Sequence, residues 1–270
     1  MSEIKLNDEV TTAVVIPCYN ESKRLQVEHF MDFIETHENI AFLFVNDGSQ
    51  DNTIEILNRL SEHRSGRISA LDLKNNQGKA EAVRQGMLHA FDSGFQYAGY
   101  LDADLATPLE SIIEFEKLLN RMPEVWMVIG SRVQLLGREI RRKKTRHYLG
   151  RIFATVVSIL LKLPVYDTQC GAKFFRNNAA TRSVFQRKFV SRWIFDVEII
   201  KHIRSIQVSN QNSIPAKRIY EMPLDKWQDI AGSKLKPRDF LKAFIELFQI
   251  TRLDLTGEPV EIESFCMNCQ

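Results

Sequence analysis

The sequence predicts an α/β fold, a largely parallel sheet flanked by helices, and three observations carry that expectation. Short apolar runs rich in β-branched residues recur along the chain and stop abruptly at polar or glycine-containing breaks. Amphipathic stretches long enough to serve as crossovers separate the runs. The residues best suited to chemistry gather just after the runs end. Parallel strands need helical crossovers and are buried on both faces, so continuous apolar runs alternating with helical patterns are their signature.

The elements follow in order. "TTAVVIP" (11–17) reads as a buried strand closed by proline. In "KRLQVEHFMDFIETH" the spacing of Leu25, Phe30, Phe33 and Ile34 predicts a crossover helix. "IAFLFVNDGS" (40–49) is the second strand and breaks at Asp47-Gly48-Ser49. Asp51 or Asn52 is placed to cap a helix carrying Ile54, Leu57 and Leu60, and "RISALDL" (67–73) is the third strand. "GKAEAVRQGMLHAF" (78–91) is the next helix and "YAGYLDAD" the next strand, after which Pro108 stands near the first turn of another helix. Ligands of such sheets bind at the carboxyl ends of the strands. Pro17 to Glu21, Asn46 to Ser49, Gly78-Lys79 and Asp102 to Asp104 are therefore expected to share one rim.

Composition narrows the class. The chain has 270 residues, 44% of them apolar, enough for a substantial buried core. A net charge of +2 supplies no global field toward nucleic acid, and none is expected as a partner. Cys18, Cys170, Cys266 and Cys269 are too sparse for a disulfide scaffold, and no signal peptide precedes the first apolar run. A reducing, cytoplasmic setting is expected. Cys266 and Cys269 form a C-x-x-C without a second pair, to which no role is given.

Within "YLDADLATP", Asp102 and Asp104 would face the same side if they continued one strand. Two carboxylates that close repel unless something positive lies between them, which predicts a bound cation. Lys79 begins a helix, where backbone N–H groups favour anions, and reads as a phosphate partner. Taken alone, Lys79 and Arg84 read equally as solvated helix residues.

"VVIPCYNE", "VNDGSQDNT", "NQGKAEAVRQG" and "DADLATP", in this order and spacing, resemble the family 2 glycosyltransferases, which have a GT-A fold. "DTQCGAKFF" (167–175) and "RWIFDVEII" (192–200) resemble the branch that glucosylates dolichyl and related polyprenyl phosphates. The likeness spans about residues 12 to 230. It implies a metal-dependent, inverting hexosyltransferase, with UDP-glucose the favoured donor and a polyprenyl phosphate the acceptor. Transfer to a glycan or other alcohol, and a sugar-nucleotide-binding subunit without catalysis, stay open as alternatives. The expected organisation is a GT-A domain over 1–235 and a C-terminal amphipathic helix and tail over 236–270.

The resemblance also assigns roles. Pro17, Tyr19, Glu21 and Asp47 match nucleoside-holding positions, with Tyr19 packing on the base and Asp47 accepting from its N–H. Asp104 is the direct ligand of Mg²⁺ or Mn²⁺, and Asp102 reaches both metal and ribose. Ala106 stands where some relatives carry Gln, so water replaces one protein ligand. Lys79 neutralises phosphate. Apart from the resemblance, Arg132, which follows "WMVIGS" at another strand end, is a candidate clamp for the acceptor phosphate, and the small Gly130 and Ser131 would let the backbone approach it. A phosphate monoester has its second pKa near ~6 and attacks as a dianion, so a general base is needed only for an alcohol. Asp196, flanked by Trp193 and Phe195, is the base in that case, while Asp167 and Glu198 position hydroxyls of acceptor or sugar.

Two segments suggest peripheral contact with the cytoplasmic face of a membrane. "IRRKKTRHYLGRIFATVVSILLKL" (140–163) sets a basic block before an apolar stripe, and "RDFLKAFIELFQI" (238–250) follows Lys234 and Lys236. Neither holds the ~20 apolar residues a span requires. The same faces would equally cover a core or a second copy of the chain, so an oligomer stays open.

Overall fold

All eight residues of the strand Ile40–Asp47 are buried, as a strand covered by helices on both faces must be. The computed structural model describes residues 10–64, 66–142, 144–207, 215–230 and 237–253, and the side chains of these except 144–146, 215–216 and 237–241. Cys266 and Cys269 lie outside the described residues, as do Lys143, Lys234 and Lys236.

The chain runs β1 (Thr12–Cys18), α1 (Val27–Thr36), β2 (Ile40–Asp47), α2 (Thr53–His63), β3 (Ile68–Leu73), α3 (Lys79–Asp92), β4 (Tyr97–Leu101), α4 (Ser111–Arg121) and β5 (Met127–Ser131). It continues with β6 (Glu139–Arg141), α5 (Lys144–Leu161), β7 (Ala172–Arg176), α6 (Ala179–Gln186), α7 (Phe195–Ser205), a 3₁₀ turn (Pro215–Arg218), β8 (Ile219–Pro223), β9 (Lys226–Gln228) and α8 (Pro237–Arg252). Among the described residues, seven strands form one sheet in the order β3-β2-β1-β4-β7-β5-β8. Every neighbouring pair is parallel except β7, which runs antiparallel to both β4 and β5. A parallel pair, β6 and β9, lies apart.

Side chains of one strand alternate between two cores. Val14, Ile16, Phe42 and Phe44 face α1, α2 and α4, whereas Val15, Leu43 and Val45 face α3 and α5 to α8. Phe30 of α1 meets Phe42 and Phe44 edge-on at 5.2 and 5.1 Å, contacts worth about 0.5–1.5 kcal/mol each beyond their burial. Ala243, Leu247 and Ile250 of α8 are buried in the second core, so this helix packs into the sheet domain.

Several sequence expectations shift in detail. Leu25 precedes α1, and α4 begins at Ser111, three residues beyond Pro108, which instead accepts the turn-forming N–H of Ser111. Asn52 occupies the cap position of α2 but makes no side-chain cap; Asp51 accepts from the N–H and hydroxyl of Thr53. β4 stops at Leu101, so Asp102 and Asp104 belong to a tight turn in which Leu105 has φ 54°, not to the strand itself.

Candidate active site

The carboxyl ends of β1, β2 and β4 and the start of α3 meet on one rim. Gly48, after β2, has φ 63°, and a Cβ there would sit 2.5 Å from the backbone N of Asn76. Only glycine allows the Asp47-Gly48 turn to press onto the loop before α3. Asp47 then grips that loop: its carboxylate accepts from the N–H of Gln77 at 2.7 Å, the N–H of Gly78 at 2.8 Å and the Asn76 amide at 3.1 Å. Burial pushes its carboxyl up, and these backbone N–H groups offset part of that shift. Asp47 thus braces the start of α3, a task its expected contact with a base did not include.

From the first residue of α3, Lys79 reaches Asp102 at 2.5 Å. Burial lowers Lys79, but Asp102 and Asp196 more than reverse this and hold it raised, firmly cationic. Asp104 is the opposite case. Burial first, then the charge of Asp102, push its carboxyl up, against the pull of the Ala106 N–H, Lys79 and Arg24. Asp102 lies across Gly171, where a Cβ would be 2.0 Å from Oδ2. That glycine, within "DTQCGAKFF", is therefore part of the aspartate turn and was missed as such by sequence reasoning.

On the β1 side, Glu21 is buried, pairs with Arg24 at 2.8 Å and donates its own N–H to the Thr53 hydroxyl. Asn20 and Ser22 are tied to Ser49 and Asp51, which joins the Pro17–Glu21 segment to the turn after β2. Pro17 and Tyr19 are partly exposed on this rim. Arg84 faces inward instead of solvent: it pairs with Glu81 at 2.7 Å and donates to the Phe185 carbonyl.

The other half of the rim is cationic. Asp167 accepts from Arg132 Nε at 2.6 Å and Nη2 at 2.7 Å, and Trp227 lies 5.1 Å beneath the guanidinium. This two-pronged pairing holds Asp167 well below the usual carboxylate range despite burial, and leaves Nη1 of Arg132 outside it. Arg142, against Gly150 of α5, feels the repulsion of Arg132 and the attraction of Asp167. Asp167 is thus the counter-ion that orients Arg132, and not a group left over for sugar hydroxyls.

Asp196 opens the first turn of α7, buried. Its Oδ1 accepts from the Tyr100 hydroxyl at 2.5 Å and pairs with Lys173 at 2.6 Å. Lys173 is fully buried and also donates to the Cys170 carbonyl at 2.7 Å. A lysine in the middle of the apolar run "AKFF" was the available signal, since a buried ammonium demands a carboxylate. Glu198, expected to bind hydroxyls, accepts instead from the backbone N–H of Val190 and Ser191. Its side chain is buried and serves the loop before α7.

The glycosyl transferase family 2 signature matches residues 13–186, which include the turns after β1, β2 and β4 and the start of α3. The chain belongs to glycosyltransferase family 2. Within that family it is 35% identical over 254 residues to a dolichyl-phosphate beta-glucosyltransferase of Trichomonas vaginalis, covering 90% of this chain and 71% of that one. Its identity to the Drosophila melanogaster dolichyl-phosphate beta-glucosyltransferase is 32%, covering 91% and 76%. Among solved structures it superposes on Mycobacterium tuberculosis glucosyl-3-phosphoglycerate synthase, in complex with Mn²⁺, UDP and glucosyl-3-phosphoglycerate, with a TM-score of 0.56 and 16% identity over 89% of this chain and 77% of that one. A Pyrobaculum calidifontis mannosyltransferase in complex with GDP-Man and Mn²⁺ gives 0.52 and 17% over 83% and 58%. The fold of this family 2 enzyme is GT-A.

Proposed function

We propose that this glycosyltransferase moves glucose from UDP-glucose onto dolichyl phosphate or a related polyprenyl phosphate, with inversion at the anomeric carbon. The observation that carries this reading is the likeness to dolichyl-phosphate beta-glucosyltransferases over about nine-tenths of the chain, so that it takes in the cationic half of the rim as well as the aspartate turn.

The donor side is Tyr19 against the base and Lys79 beside the diphosphate. Asp102 and Asp104 are suited to Mg²⁺ or Mn²⁺: two oxygen ligands share one turn, and burial together with the charge of Asp102 raises Asp104, a tension a divalent cation relieves. Among the described residues no group of three or more His, Cys, Asp and Glu could hold a metal, so phosphate and water would complete the shell. When bound, the cation neutralises charge developing on the departing nucleoside diphosphate. Lys79, held cationic between two carboxylates, adds to that neutralisation.

The acceptor side is Arg132, aimed by Asp167 and Trp227, with Arg142 behind it. A phosphate needs such cations, and as a dianion it needs no base. Asp196 supports the same reading, since its Oδ1 is already committed to Lys173 and Tyr100. Tyr148, Leu149, Ile152 and Ile159 of α5 and Ile245 and Phe248 of α8 are exposed, and the two helices touch through Phe153 and Phe244 at 5.9 Å. This face rests on the membrane that holds the lipid acceptor. No helix among the described residues is long and apolar enough to cross a bilayer.

A competition assay tests the acceptor. With UDP-glucose and equal amounts of dolichyl phosphate and dolichol, glucose is expected on the phosphate alone. Comparable transfer to the alcohol would overturn the assignment.

A further inference from the structure

The segment before α7 is held from two sides. Glu198 takes the N–H groups of Val190 and Ser191 on one side. On the other, the fully buried Ser191 hydroxyl accepts from the N–H of Trp193 at 3.1 Å and of Ile194 at 2.7 Å. Its single proton goes to the carboxylate of Glu246, on α8. α8 is fixed to α7 a second time, where Lys201 donates to the carbonyls of Ile250, Thr251 and Leu253 at the end of the helix.

Between the pinned Ser191 and Trp193, the side chain of Arg192 extends to the donor rim. Its Nε lies 3.0 Å from the point a Cβ of Gly78 would occupy, and its charge acts on Asp47. Gly78 is the residue whose N–H Asp47 holds and after which α3 and Lys79 begin. A continuous set of contacts therefore runs from Glu246 through Ser191 and Arg192 to the loop that presents Lys79 to Asp102.

We propose that Ser191 and Glu246 are positioning residues for sugar transfer, a latch by which α8 holds Arg192 against the start of α3 and so sets the affinity for the donor nucleotide. The inference rests on the glycosyl-transfer reading. Its test is calorimetric titration of UDP with Mn²⁺ into the full chain and into the Ser191→Ala, Glu246→Ala and double variants, with KM and kcat for UDP-glucose and the melting temperature of each. The latch predicts UDP binding weakened roughly tenfold by either single change, a KM raised in parallel and a kcat within threefold. The double variant should be no weaker than Ser191→Ala, because that change already removes the hydrogen bond that Glu246→Ala removes, along with the Trp193 and Ile194 bonds. Glu246→Gln, whose amide oxygen still accepts from the hydroxyl, should restore most of the affinity. Arg192 is exposed, so Arg192→Ala should fold even where Ser191→Ala does not, and it should show the same tenfold loss. UDP binding by the parent with unchanged affinity in all these variants, or additive losses in the double variant, would overturn the latch alone. Failure of the parent to bind UDP would overturn the glycosyl-transfer reading, and the latch with it.

Discussion

Replacing Gly171 by alanine adds one methyl group at the most crowded point of the aspartate turn. That Cβ would stand 2.0 Å from Asp102 Oδ2 and 2.3 Å from its Cγ, whereas real Cβ contacts do not fall below 3.0 Å. The carboxylate must retreat by about 1 Å. The backbone around residue 171 has little freedom to share the shift, because its carbonyl accepts the N–H of Asp102 at 3.1 Å where β4 meets β7. A retreat of that size displaces the carboxylate from its 2.5 Å contact with Lys79 and moves one side of the candidate cation site. Displacements near 1 Å cost about 10²-fold in rate, or about 2.7 kcal/mol of transition-state stabilisation. Gly171 is not in the left-handed region, so alanine strains no backbone angle and the fold should survive. Glucosyl transfer at saturating metal, measured with the melting temperature, provides the assay. A loss near a hundredfold with a melting temperature within a few degrees of the parent is expected. Activity within threefold of the parent would refute the claim that Asp102 must lie where only glycine leaves room.

The remaining predictions concern stability and the membrane face. Asp167→Asn strips the counter-ion from Arg132 in a site where both side chains are almost buried, so it should cost roughly 3–5 kcal/mol and lower the melting temperature by roughly 10 °C. Because Asp167 is depressed in the folded protein, its contribution is present above the ordinary carboxylate pKa and fades as pH falls below it; denaturant curves at pH 3 and 7 should show the variant losing less than the parent. Burial, with a smaller push from Arg187, lowers His202 from 6.5 to about 4, so its contribution is intact above pH 6.5 and is lost as pH falls toward 4. The parent should lose about 2–3 kcal/mol more than His202→Gln between pH 7.5 and 4.5, and equal losses would refute it. Ile245→Glu with Phe248→Glu should abolish flotation with anionic vesicles while leaving UDP binding within threefold; flotation equal to the parent would remove α8 from the membrane face.

Local pattern made much of this legible. Runs such as "TTAVVIP" and "IAFLFVNDGS" are buried on both faces, so apolar continuity alone located β1 and β2 and, beyond them, the Tyr19, Asp47 and Asp102 segments. The antiparallel β7 between β4 and β5 was not legible, because its partners are far along the chain and its apolar run carries no direction. The short β6 and β9 have too few residues to show a period. At the site, residue types were easier to read than pairings. Arg132 stood out after a strand, but that Asp167 takes two of its nitrogens is a matter of tertiary approach. Asp196 was visible as a carboxylate, and its tie to Lys173 was not. Glu198 looked chemical and proved to serve backbone N–H groups, a need that arises only once the loop before α7 is folded.

The most direct test of the account is the anomeric configuration of the lipid product. Purified protein is incubated with UDP-[¹⁴C]glucose, dolichyl phosphate and Mg²⁺ or Mn²⁺, the organic phase is counted, and the extracted product is examined by NMR. The account predicts a β-linked glucosyl lipid phosphate formed in equal amount with UDP, and none with Asp104→Asn. An α-linked product, or consumption of UDP-glucose without label in the lipid, would contradict it.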